Sequence, residues 1–176
     1  MRELSKYPDR IVGIVLGSMM DDRLDTLIRS RCIDETPESE DVFRDVLRDG
    51  GPVGAFSTRI NVGYLLGLYG KATHRDLVTI KNIRNAFAHA RKDLDFNDDR
   101  IGDLCRNLKL LERSDAYSAG QEWGRLFSRI NPQTPEIPAA APLTNRQQFE
   151  VTCSQLLMIF HIEATNFKPA LRKPRY

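Results

Sequence analysis

Leu77, Ile80, Arg84 and Phe87 follow one another at spacings of three, four and three, the repeat of a single helix face, and they leave a permanent cation where a core asks for Leu or Ile. The same period runs through most of the chain. Ile11, Val12, Val15, Leu16, Met19, Leu24, Leu27 and Ile28 make the apolar side of a long helix opening at Pro8 or Asp9, with Met19 and Met20 as core filler. A short helix around Val42 to Arg48 turns Val42, Phe43, Val46 and Leu47 inward and stops at Gly50-Gly51-Pro52. The next, over Gly54 to Tyr69, carries Phe56, Ile60, Tyr64 and Leu68 on one face. Its Gly63 and Gly67 lie on another, where a neighbouring helix can come close. These segments predict an all-α fold, a single-domain bundle of about six to eight helices.

The Arg84 helix is predicted to begin at Thr73, with Thr73 and Asp76 as a short-armed capping box. The short Tyr69-Gly70-Lys71-Ala72 connection makes it antiparallel to the preceding helix. Asn97 or Asp98 then caps a helix through Ile101, Leu104, Cys105 and Leu108, and Trp123, Leu126, Phe127 and Ile130 mark a core stripe on a helix from Asp115 to Ile130. The bundle thus occupies residues 1–130. Residues 131–143 include Pro132, Pro135, Pro138 and Pro142 and form an extended connector. Thr144 or Asn145 opens a final apolar helix over 144–165, which packs on the bundle or on a partner, before a basic tail at 166–176.

Composition narrows the class. At 176 residues, 41% hydrophobic and 28% charged, the chain can bury a substantial single core. A formal net charge of +2 neither demands nor excludes a nucleic-acid partner. Cys32, Cys105 and Cys153 are scattered and odd in number, which argues against a disulfide framework and a zinc site and fits a reducing cytoplasm. The acidic run Asp93, Asp95, Asp98, Asp99 and Asp103 lacks the spacing of a calcium loop, so no metal and no cofactor is expected. The apolar stretch Leu156 to Ile162 is too short to span a bilayer, and no membrane association is expected. His161, alone at the border of an apolar face, reads as structural.

Arg84 needs compensation for its desolvation, from a carboxylate, a bound anion or a water-filled groove. Two roles stay open for it. It is either half of an internal ion pair, with an Asp of the acidic run as its partner, or part of a site. Asn85 and His89, four residues apart, share a helix face beside it, and an imidazole, an amide and a guanidinium together suit phosphodiester chemistry. The antiparallel helix pair brings Arg59 toward His89, so the candidate binding set is Arg59, Arg84, Asn85 and His89.

The run Gly51-Pro52-Val53-Gly54-Ala55-Phe56-Ser57-Thr58-Arg59-Ile60, continued by Tyr64-Leu65-Leu66-Gly67-Leu68 and by Arg84 to His89, resembles the mannitol operon repressor family of small all-helical bacterial proteins. That resemblance implies a repressor-like transcriptional regulator without a recognisable helix-turn-helix, acting mainly through another protein. Arg84, Asn85 and His89 also resemble the Arg-x4-6-His signature of HEPN domains, α-helical dimers among which are metal-independent ribonucleases and inactive scaffolds. It implies an alternative, an endoribonuclease in which Arg84, Asn85 and His89 are catalytic. A non-catalytic dimeric scaffold is the third reading, and the two leading readings both imply a homodimer.

Overall fold

The computed structural model describes residues 4–32, 37–48, 50–91, 93–110 and 143–166. Among them the chain forms six α-helices and no strand, so the fold is an all-α, single-domain bundle. The helices are α1 Asp9–Arg29, α2 Pro37–Leu47, α3 Phe56–Leu65, α4 Lys71–His89, α5 Asp99–Arg106 and α6 Asn145–Asn166. The helix predicted over Asp115 to Ile130, the proline-rich connector and the basic tail lie outside the described residues.

Helix α1 is the central element, packed against α3, α4 and α6, while α5 closes the far side against α4 and α6. Val12, Leu16, Met20, Leu24, Leu27 and Ile28 face the core. Ile11, Val15 and Met19, predicted to join them, instead form a second apolar stripe that is 46%, 42% and 48% exposed. Each lies one residue, about 100° round the helix, before a buried position (Val12, Leu16, Met20), so the row runs alongside the buried one on the outer flank of α1. Met20 is core filler, and Met19 is not.

Two further boundaries move. Helix α2 starts at Pro37, earlier than its apolar run, and buries Phe43 and Leu47 while Val42 points outward at 60% exposure. Helix α3 ends at Leu65 with Phe56 and Ile60 buried and Tyr64 exposed, because Gly67 takes a left-handed φ of 70° that turns the chain. Gly63 lies against the Tyr69 ring rather than a neighbouring helix, and Tyr69 donates from its hydroxyl to the Ile60 carbonyl at 2.6 Å.

Helix α4 begins at Lys71 with Gly70 as its N-cap, so Thr73 and Asp76 do not cap it. Asp76 is fully buried and accepts a hydrogen bond from the Lys109 backbone N–H at 3.0 Å, tying α4 to the chain after α5. The core stripe of α4 is Leu77, Ile80, Ile83 and Phe87. Phe87 meets Phe96 edge-on at 5.0 Å, and Phe96 meets Phe149 of α6 at 5.3 Å, so the connection before α5 is plugged into the core. Asp98 caps α5, accepting from the Arg100 N–H at 3.1 Å. Thr144 and Gln147 form a reciprocal capping box at the start of α6, with bonds of 3.2 and 2.9 Å.

Candidate functional site

The last two turns of α4 carry Arg84, Asn85 and His89, and the core stripe beside them decides where each points. Leu77, Ile80, Ile83 and Phe87 fill the inward face, which leaves Arg84 half-buried on the side turned to α1 and His89 exposed at the helix C-terminus. Gly17 of α1 makes room for Arg84. A Cβ at Gly17 would lie 2.5 Å from the Arg84 Cβ and 2.6 Å from its Cγ. The Arg84 stem therefore crosses α1 in van der Waals contact with bare backbone.

Arg84 donates from Nη1 to the Asn85 Oδ1 at 3.1 Å, while its Nε is buried without a hydrogen-bond partner among the described residues. No carboxylate of the acidic run pairs with it among the described residues. Asp95 accepts from the Asn97 and Asp98 N–H groups, Asp98 is the α5 cap, and Asp103 pairs with Arg106. The acid nearest in electrostatic effect is Asp21 of α1, whose carboxyl is pushed above its ordinary range by burial against the opposing pull of Arg59 and Arg84.

Arg59 is placed differently from its prediction. Its guanidinium is buried between α1, α2 and α3, with Nη1 2.7 Å from Asp21 Oδ1, Nε 3.4 Å from Asp25 Oδ1 and Nη2 donating to the Leu47 carbonyl. All three of its directions are spent on the fold. Asp21 thus pairs with Arg59 and also feels the charge of Arg84, and it is an acid that sequence reasoning misses because it sits within the apolar pattern of α1.

Asn85 and His89 instead line a groove of about 920 Å³ between the end of α4 and the start of α5. Ala86, Leu94, Ile101 and Leu104 give it an apolar floor, and Arg91, Asp93, Asp98 and Arg100 a rim of mixed charge. Since Asn85 Oδ1 is taken by Arg84, its amide NH2 is the group left to face a ligand. The groove holds an imidazole, the two amides of Asn82 and Asn85 and two guanidiniums, a set able to orient an anion or move a proton. Among the described residues no group of three or more His, Cys, Asp or Glu is placed to hold a metal ion. His161 is 3.1 Å from Arg23 through Nδ1 and lies on α6. Cys32, Cys105 and Cys153 are free thiols, and no described helix is long and apolar enough to cross a membrane.

No curated protein and no solved structure matches this chain. The mannitol repressor family does, over residues 12–123, a span that takes in α1 from Val12 onward and all of α2 to α5, with the Arg59, Arg84 and His89 positions. That match covers well over half of the chain, and the protein belongs to the mannitol repressor family.

Proposed function

We propose that this protein is a transcriptional regulator of the repressor type that works chiefly by holding another protein, as a homodimer in the cytoplasm. Family membership supports the regulatory role. The observation that carries the protein-binding mode is the second apolar stripe of α1, where Ile11, Val15 and Met19 stand exposed at successive turns. Exposed apolar residues aligned on one helix face mark a protein contact more than scattered ones do. Met158, Ile159 and Ile162 add a second such patch on α6. The test is sedimentation and partner retention by wild type, Val15→Asp/Met19→Asp and His89→Ala. Loss of self-association and retention in the double variant, with both kept in His89→Ala, is the expected result. A wild-type monomer that retains no partner removes the reading.

A second reading rests on the groove. Asn85 and His89 line it together, with Arg84 bonded to Asn85, an arrangement that supports a metal-independent endoribonuclease in which His89 moves the proton and Arg84 orients Asn85. Labelled RNA incubated with wild type and His89→Ala in excess EDTA decides it. Cleavage by wild type alone establishes the nuclease, and no cleavage by either eliminates it.

A further inference from the structure

Charge is segregated along this chain in a way its net value conceals. Residues 50–92 contain seven Lys and Arg but a single carboxylate, Asp76, so the segment carries +6 and the rest of a +2 chain carries −4. The lone carboxylate is buried and bonded to the Lys109 N–H. The α3–α4 hairpin therefore presents no negative side chain to solvent.

Its cations are also ordered. Lys71, Arg75, Val78, Asn82, Asn85 and His89 recur at spacings of four, three, four, three and four, one continuous face of α4 about 27 Å long. Lys71, Arg75, Asn82 and His89 are exposed, and Lys81 flanks the row. Among the described residues none of Lys71, Arg75 or Lys81 has an ion-pair partner, and neither do Arg10, Arg23 and Arg100, whereas Arg29, Arg44, Arg59, Arg106 and Arg146 do. What sets α4 apart is that its unpaired cations stand on one helix face without an acid. His74 fixes this face to α3, with Nε2 3.1 Å from Asn61 Oδ1 and its ring 4.8 Å from that of Tyr64.

We infer that the outer face of α4 is a contact surface for the sugar–phosphate backbone of duplex nucleic acid. A straight row of unpaired cations and amide donors with no acid on its helix face matches a regular line of phosphates, and each contact gains from counterion release. Single-strand binding calls for aromatic platforms, and the row on α4 carries no Phe, Tyr or Trp. Past His89 the surface changes, with Asp93 and Asp98 interleaved between Arg91 and Arg100, so the footprint centres on Lys71 to Asn85. Such a surface binds without reading bases, and it would add affinity to a regulator whose target is chosen by a protein partner.

The test is fluorescence anisotropy with labelled duplex DNA and a single-stranded RNA of equal length, from about 50 to about 200 mM NaCl. Wild type binds the duplex, weakening steeply with salt. K71Q/R75Q/K81Q binds about tenfold or more weakly at the low-salt end, and its log–log salt slope falls by about 0.9 for each phosphate it no longer neutralises. R23Q/R44Q/R106Q, which removes the same formal charge from other surfaces, binds like wild type. The single reversals R75E and K71E, checked for helicity by circular dichroism, repeat the loss. No duplex binding by wild type, equal weakening in the control triple, or an unchanged K71Q/R75Q/K81Q overturns the assignment, and tighter binding of the single strand overturns its duplex part.

Discussion

Arg59 Nη1 lies 2.7 Å from Asp21 Oδ1, and this contact joins the start of α3 to the middle of α1 in a site where the arginine side chain is only 8% exposed. The same guanidinium reaches Asp25 and the last carbonyl of α2, so one residue fastens three helices. Removing one partner from a buried pair leaves an uncompensated charge, which costs about 3–5 kcal/mol. Arg59→Ala and Asp21→Ala are each expected to lower the unfolding free energy by that order in urea titrations, and the double variant by less than the sum. Arg59→Lys keeps the charge but loses the fork, and is expected to fall between.

Gly13 and Gly17 let α4 sit directly on α1, with Phe87 over the first and Arg84 over the second. Gly17→Ala is expected to destabilise by about 1–3 kcal/mol through overpacking, more than helix propensity would return. Pairing it with Arg84→Ala should recover part of that loss, since the Arg84 stem is what the new methyl meets. Additive losses in thermal melts would contradict the contact.

His89 is exposed and its ring takes part in no hydrogen bond among the described residues. His89→Ala should change stability by no more than about 1 kcal/mol, the size of a cation–dipole contribution at a helix end. Loss of any activity in that variant would then report on the groove and not on the fold, with circular dichroism melts as the check.

Burial pushes the Cys105 thiol up to about 12, and that of Cys153, facing it from α6, well above its ordinary value. A folded-state value raised above the unfolded one means that the native thiol keeps a proton the unfolded chain loses. The stabilisation is complete below about pH 9 and is lost as pH rises toward 12, by up to about 1.4 kcal/mol per pH unit for one thiol. Wild type should lose stability across this window faster than Cys105→Ala, measured by urea midpoints. At neutral pH iodoacetamide should reach Cys105 and Cys153 only after unfolding, with half-buried Cys32 labelled first.

Periodicity and cap chemistry were enough to read the fold class and to place the starts of α1, α5 and α6 within one residue, at Pro8 or Asp9, Asn97 or Asp98, and Thr144 or Asn145, because each depends on residues a few positions apart; the structure chose Asp9, Asp98 and Thr144. They were not enough to tell which apolar residues are buried. Met19 and Met20 are neighbours of identical hydrophobicity, and only the placement of α3, α4 and α6 around α1 makes one core and the other surface. Arg84 stood out in the sequence as a charge within an apolar repeat. Its half-burial against Gly17, and its bond to Asn85 in place of a carboxylate of the acidic run, required the packing of α1 on α4.

The candidate site divides the same way. The sequence by itself determined that Asn85 and His89 share a helix face, since four residues make about one turn. That they line a groove with Arg91 and Arg100, that the Arg84 stem lies against Gly17 of α1 and that Arg59 is consumed by α1 and α2 was decided by tertiary structure. The physical reason is range. Helix formation and capping are set by local hydrogen bonds, whereas the desolvation that sends one arginine inward and leaves another on the surface depends on which distant backbone arrives beside it.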